Sequence, residues 1–197
     1  IKVMVEYTKL KHEEHVLQIP DTYIGSTDNN TENIWLLNSD TTKMNKSSAT
    51  YIPGLYKLFD EVVVNALDQQ IRLKHKYQSD KSINRVTSIE INVNKKTGVI
   101  SVMNNGEGIP IKIHDKENIY IPELIFGNLL TSSNYNKNEL KHVGGRNGYG
   151  AKLANIFSTL FIIETVDNQT HKKFKLSFYD NMTRKDKPII TSTKEKP

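Results

Sequence analysis

Cysteine is absent from these 197 residues. That excludes disulfide staples, thiolate zinc sites and cysteine nucleophiles, and it agrees with an intracellular setting. No apolar run approaches the roughly 20 residues of a spanning helix, and no signal-peptide pattern opens the chain. Arginine is scarce, with only Arg72, Arg85, Arg146 and Arg184 among 27 basic residues. Against 22 acidic residues these give a net charge of +5 and a pI near 9.2. Such a balance permits contact with nucleic acid without requiring it. Apolar residues make up 37% and charged residues 25%, enough for a core and too apolar for a disordered tail. The length suits one large domain or two small ones. Ile1 at the start and Lys-Glu-Lys-Pro at the end read as the bounds of a fragment.

Residues 1–26 form a mixed arm ending in Pro20-Asp21-Thr22-Tyr23-Ile24-Gly25-Ser26. Residues 27–50 are rich in Asn, Thr, Ser and Lys around Ile34-Trp35-Leu36-Leu37, which predicts a loop around one short strand. From Pro53, Leu55, Leu58, Phe59, Val62 and Ala66 recur at helical spacing and make one apolar face. The polar stretch from Lys74 to Ser82 predicts a break. Ile89, Ile91 and Val93 alternate with polar residues as a strand does, and a turn around Lys95 to Gly98 leads into a second strand, Val99 to Met103. Ile121 to Leu130 reads as a short helix with Pro122 in its first turn. Thr131 to Gly150 reads as a functional loop, too long and glycine-rich for a tight connection. Ala151 to Phe157 is helical in pattern, and Phe161 to Thr165 with Phe174 to Tyr179 suggest an antiparallel pair. This order predicts an α+β fold, a two-layer sandwich with helices on one face of a mixed sheet.

Four constellations could carry chemistry. Glu61, Asn65 and Asp68 fall on a helical stripe about 60° wide, beside the apolar face. A carboxylate there can orient and deprotonate water, and an amide oxygen one turn away can ligate Mg²⁺. Taken alone, a solvated helix face accounts for the pattern more often. Asn104-Asn105-Gly106-Glu107-Gly108 follows a strand; its glycines permit close approach to a flat ligand, and an asparagine can hydrogen-bond an adenine edge. Taken alone, a plain turn is commoner. Gly144-Gly145-Arg146-Asn147-Gly148-Tyr149-Gly150-Ala151-Lys152 leads into a helix, so free N–H groups, Arg146 and Lys152 make a phosphate cradle. It is not a Walker A loop, because Ala151 follows Gly150, nor a Rossmann fingerprint, because Leu153 takes the third glycine's place. Thr131-Ser132-Ser133-Asn134 adds hydroxyls and an amide suited to ribose and phosphate.

These segments, in this order, resemble the ATPase domain of eukaryotic-type DNA topoisomerase II, within the GHKL family with its Bergerat nucleotide fold. The likeness runs through Pro20 to Gly25, Pro53 to Lys57, Asp60-Glu61 to Asn65-Ala66, Asn104 to Pro110, Tyr120 to Gly127, and Asn155 to Ser158. Its most specific parts are Leu129 to Tyr135 and Gly144 to Lys152. The resemblance implies that Glu61 is the general base for the attacking water, Asn65 a Mg²⁺ ligand and Asn104 the adenine-recognising position. It implies ribose and phosphate contacts at Ser132, Ser133 and Asn134. It also implies a loop over the triphosphate formed by Gly145, Arg146, Asn147, Gly148, Tyr149, Gly150, Ala151 and Lys152, with Tyr7 reaching the partner subunit's nucleotide.

The implied cofactors are ATP and Mg²⁺. The implied assembly is a homodimer strapped by arm 1–26 when ATP binds, with residues 27–197 as the ATPase domain. DNA would be engaged by the full-length enzyme, whose transducer, TOPRIM and cleavage domains lie outside these residues. No membrane is implied, and the location would be the nucleus, or the cytoplasm if viral. Two departures stand out: Gln69 where the family usually has Asn, and Ile19 where an Arg commonly precedes Pro-Asp. Two other readings compete. One is another GHKL ATPase, of chaperone, mismatch-repair or histidine-kinase type, against which the Ser-Ser-Asn-Tyr run and the arm argue. The other is a nucleotide-binding dimerisation module without turnover, against which Glu61 argues.

Overall fold

A computed structural model describes residues 10–129 and 149–195. The chain divides into two compact units, Ile1–Lys57 and Leu58–Pro197. In the first, α1 (His12–Gln18) and α2 (Asp21–Ile24) precede a hairpin of β1 (Asn30–Leu37) and β2 (Met44–Tyr51). The two strands pair antiparallel from Asn30 opposite Tyr51 to Leu37 opposite Met44. The stretch expected to be a loop around one strand is therefore two full strands. Their polar residues do not oppose pairing: the Thr31 and Thr50 hydroxyls meet at 2.8 Å across the ladder. Loop-type chemistry is confined to the tip, where Asn38 Oδ1 accepts the N–H groups of Thr42 and Lys43, and Asp40 Oδ1 accepts the Thr42 N–H and hydroxyl.

α3 (Pro53–Ser79) runs on through the predicted break at Lys74. Lysine and glutamine are good helix formers, and no glycine or proline stands between Leu55 and Ser79 to stop it. It ends where Asp80 Oδ1 turns to accept the Ser82 N–H and hydroxyl. β3 (Ile89–Asn94) and β4 (Val99–Asn104) form the expected hairpin. α4 (Ile121–Gly127) stops short of Leu130 because Asn128 is already extended, with φ −128° and ψ 121°. α5 (Gly150–Ile156) leads into β5 (Leu160–Asp167) and β6 (Lys172–Tyr179), followed by β7 (Arg184–Lys185) and β8 (Ile189–Ser192). β6 pairs with β5 and with both short strands, and every ladder among the described residues is antiparallel. The class is α+β.

The core of the second unit grows from the alternation in β6. Phe174, Leu176 and Phe178 point inward and pack with Ile111 and Ile163, flanked by Tyr120, Phe126 and Phe161. α4 is tied to this sheet by an ion pair between its buried Glu123 and Lys185. α5 is buried along its whole length, from Ala151 to Ile156. Two amides fix it in place: Asn155 Nδ2 donates to the Phe126 carbonyl at 3.0 Å, and Asn181 Nδ2 to that of Ile156 at 2.7 Å.

Candidate functional site

The first half of α3 carries the stripe singled out in the sequence, and its three members sit differently. Asp68 is buried, Glu61 half-buried and Asn65 exposed. Asn65 Nδ2 donates to the Glu61 backbone carbonyl one turn back, and its Oδ1 makes no hydrogen bond among the described residues. The start of α5 lies directly against this pair. A Cβ built on Gly150 would stand 2.5 Å from Glu61 Oε2 and 3.4 Å from Asn65 Nδ2, so only a glycine fits there without moving the carboxylate. Of the glycine-rich segment, Gly150 is thus the residue seated beside Glu61 and Asn65. Lys152 is only 6% exposed, and burial lowers its ammonium pKa to about 8.

The Asn104–Gly108 loop docks on the same helix. Gly106 lies so close to α3 that a Cβ there would stand 2.7 Å from Leu73 Cδ1 and 2.5 Å from Val86 Cγ2. Gly108 presses on β5, where a Cβ would overlap the Val166 carbonyl oxygen at 1.7 Å. These two glycines, expected to admit a flat ligand, admit protein instead. Gln69 adds a polar tie: its Nε2 donates to the Glu107 carbonyl at 3.2 Å, and its Oε1 accepts from Arg72 at 3.0 Å. Both ends of the Gln69 amide are engaged within the protein. Further along, the Ile109 N–H donates to Thr165 Oγ1 at 2.9 Å and the Ile111 N–H to Asp167 Oδ2 at 3.0 Å. Burial raises the Asp167 pKa, but the N–H groups of Ile111, Gln169 and Thr170 and the Thr170 hydroxyl outweigh it and hold the carboxyl below its ordinary value.

The adjacent asparagines of this loop have separate duties. Asn105 is structural: its Oδ1 accepts the N–H groups of Thr87 and Ser88 at 2.9 Å, and its Nδ2 donates to Thr87 Oγ1 at 2.8 Å. Half-buried Asn104, at the end of β4, uses only its Oδ1, toward the Gly106 N–H at 3.3 Å, among the described residues. Its Nδ2 makes no hydrogen bond among the described residues. Tyr7, Ser132, Ser133, Asn134, Gly145, Arg146, Asn147 and Gly148 lie outside the described residues. Sequence reasoning missed Asn155 as the tie between α5 and α4, and Thr165, Asp167 and Gln69 as the anchors of the segment after β4. Each acts through a partner distant along the chain, and no local pattern marks such a residue.

The structure thus sets a polar stripe on one long helix against two glycine-bearing segments from elsewhere in the chain. The family of histidine kinase-, DNA gyrase B- and HSP90-like ATPases matches residues 50–179. The chain belongs to that family. Among its relatives, DNA topoisomerase 2 of Saccharomyces cerevisiae is 48% identical over 192 residues, covering 98% of this chain and 13% of the relative. DNA topoisomerase 2 of Acanthamoeba polyphaga mimivirus is 48% identical over 194 residues, 96% of this chain and 15% of the relative. The ATPase region of Saccharomyces cerevisiae topoisomerase II superposes with a TM-score of 0.87 at 48% identity, covering 97% of this chain and 48% of that structure. The ATPase domain of Thermus thermophilus gyrase B, at 20% identity and a TM-score of 0.60, shares the fold. The chain thus spans about an eighth of the length of the topoisomerases it matches. The family match bears out the expected GHKL fold, and the 48% identity to topoisomerase 2 sequences and to a topoisomerase II ATPase region favours that likeness over the chaperone and mismatch-repair readings.

Proposed function

We propose that this chain is the ATP-binding and ATP-hydrolysing gate domain of a type II DNA topoisomerase, one that dimerises on ATP to drive strand passage. The observation that carries the reading is the seating of Gly150, the last glycine of the Gly144–Gly150 run, against Glu61 and Asn65. Close likeness to topoisomerase II ATPase regions over nearly the whole chain supports it. In this reading Glu61 orients the attacking water and takes its proton onto a carboxylate oxygen. Asn104 uses Nδ2 to recognise the adenine edge. Ser132, Ser133 and Asn134 hold ribose and phosphate, and Gly145 to Lys152 close over the triphosphate, with charge from Arg146 and Lys152.

Mg²⁺ bound with nucleotide takes one or two protein oxygens alongside phosphate oxygens, and the Asn65 Oδ1, a hard oxygen donor with no hydrogen bond among the described residues, fits that requirement. The metal would supply charge neutralisation on the triphosphate. Tyr7 reaches the partner subunit's nucleotide, the 1–26 arm straps the homodimer, and the whole protein acts on DNA, in the nucleus or, if viral, in the cytoplasm. No helix among the described residues is long and apolar enough to cross a membrane. Sedimentation of the protein with a non-hydrolysable ATP analogue, with ADP and without nucleotide tests the gate. Dimers are expected to dominate only with the analogue, since ADP lacks the γ-phosphate that Gly145 to Lys152 would hold. Equal dimer fractions in all three would refute it.

A further inference from the structure

The second half of α3 and the turn after it carry Arg72, Lys74, Lys76, Lys81 and Arg85 against a single carboxylate, Asp80. A segment of 14 residues therefore holds a net +4 of the chain's +5. All five cations are exposed. On the four-stranded sheet the basic residues other than Lys172 are neutralised: Lys173 and Lys175 meet Glu164, Lys185 meets Glu123, and Arg184 meets Asp180. Among the described residues, none of the five cations on the α3 segment stands in an ion pair. Asp80 gives its Oδ1 to the Ser82 N–H and hydroxyl. The Tyr77 ring gathers two of the charges, with Lys81 Nζ at 4.4 Å and Arg85 Cζ at 4.2 Å from its centroid, so they lie within about 9 Å of each other. The helix dipole favours cations in the last turn, which covers Lys76, but Lys81 and Arg85 lie beyond the helix. Like charges crowded without counter-charges repel one another and suit a polyanion.

We propose that the Arg72–Arg85 surface docks on the phosphate backbone of duplex DNA. The partner's chemistry follows from the side chains: an array of cations with a ring among them grips phosphates without reading bases. An anionic membrane surface fits less well, because Leu73 is buried and Ile71 and Ile83 are half-buried, leaving no exposed apolar anchor between Arg72 and Arg85. The inference rests on the reading that the whole protein acts on DNA, and it adds a DNA-binding surface on the ATPase part itself.

The test uses the full-length protein with a photoreactive benzoylphenylalanine replacing exposed Gln78, irradiated with a short labelled duplex. The expected result is a crosslink whose yield falls steeply with salt, and little crosslinking when the probe replaces exposed Ile189 on β8. Combining Lys74→Gln, Lys76→Gln, Lys81→Gln and Arg85→Gln should lower the yield at Gln78 about tenfold or more. The same variant should make the logarithmic salt slope shallower by roughly 0.9 for each phosphate no longer neutralised. ATP turnover without DNA should remain unchanged, which also shows that the variant folds. No crosslink at position 78, an undiminished crosslink in the fourfold variant, equal crosslinking from position 189, or preference for acidic vesicles over the duplex would each overturn the proposal. ATP-driven strand passage that persists without the crosslink would sink this inference and leave the gate reading intact.

Discussion

α3 carries polar side chains both before and after its buried Leu73, but other parts of the unit face those before it while Lys74 to Lys76 stand exposed. Between Glu61 and Gln69, Gly150 comes up against the Glu61 carboxylate, and Gln69 holds the Glu107 carbonyl. From Lys74 to Lys76 every side chain faces solvent. The sequence reads the front as an amphipathic helix and the rear as a polar break, and in neither does it mark which polar residues will be covered. What separates them is which distant backbone can come close, and glycines make that approach possible. A candidate catalytic surface and a solvated or polyanion-facing surface thus share one helix, about four turns apart.

The largest expected effect contrasts the two halves directly. Glu61→Gln should cut ATP turnover by about 10²- to 10⁴-fold while leaving ATP affinity nearly unchanged, because a base acts on the barrier. Lys74→Gln should leave both unchanged. Phosphate release and calorimetry measure the pair, and a tenfold loss of affinity with normal turnover in the Glu61 variant would erase the contrast.

Next comes the docking of the Asn104–Gly108 loop. Gly108→Ala must displace the Val166 backbone and should cost about 3 kcal/mol or more of stability. Gly98→Ala, at φ +71° but in open space, should cost only about 1–2 kcal/mol. Denaturant unfolding compares them, and similar losses would show that the loop does not depend on close approach.

A smaller effect separates the neighbouring asparagines. Asn105→Ala removes three hydrogen bonds and should cost about 1–3 kcal/mol of stability. Asn104→Ala should change stability little and weaken ATP binding. If both variants lost stability equally and kept their affinity for ATP, Asn104 would be structural as well.

The smallest effect is a fraction of a proton. Below pH 8 Lys152 is charged in both folded and unfolded chains, and the cost of burying it is present in full. Between about 8 and its unfolded value near 10.4, the folded chain releases a proton that the unfolded chain keeps, so the Lys152 contribution to stability rises with pH. If Lys152 meets the triphosphate, the anion restores its charge, and ATP binding at pH 8 takes up part of a proton. Calorimetry in two buffers of different ionisation heat measures that uptake. Lys152→Met should abolish it, and identical heats in both buffers for the unaltered chain would remove Lys152 from the site.

The sequence by itself determined the α+β class, the β3–β4 hairpin, the β5–β6 pair, α4, α5 and the front of α3. It also determined the family, because each of these rests on local periodicity, turn chemistry or a contiguous motif. Local reading failed where composition and conformation part company: the β1–β2 hairpin is polar along most of β2, and the rear of α3 is polar without being broken. Only the tertiary structure decided which polar residues serve the candidate site. It set Asn105 to tie the loop with both ends of its amide and Asn104 with only its Oδ1, turned Gln69 into a tether 38 residues from its partner, and showed Gly106 and Gly108 facing protein. Those outcomes depend on packing between segments far apart in the chain, and no spacing within one segment encodes the shape of the segment that will pack against it.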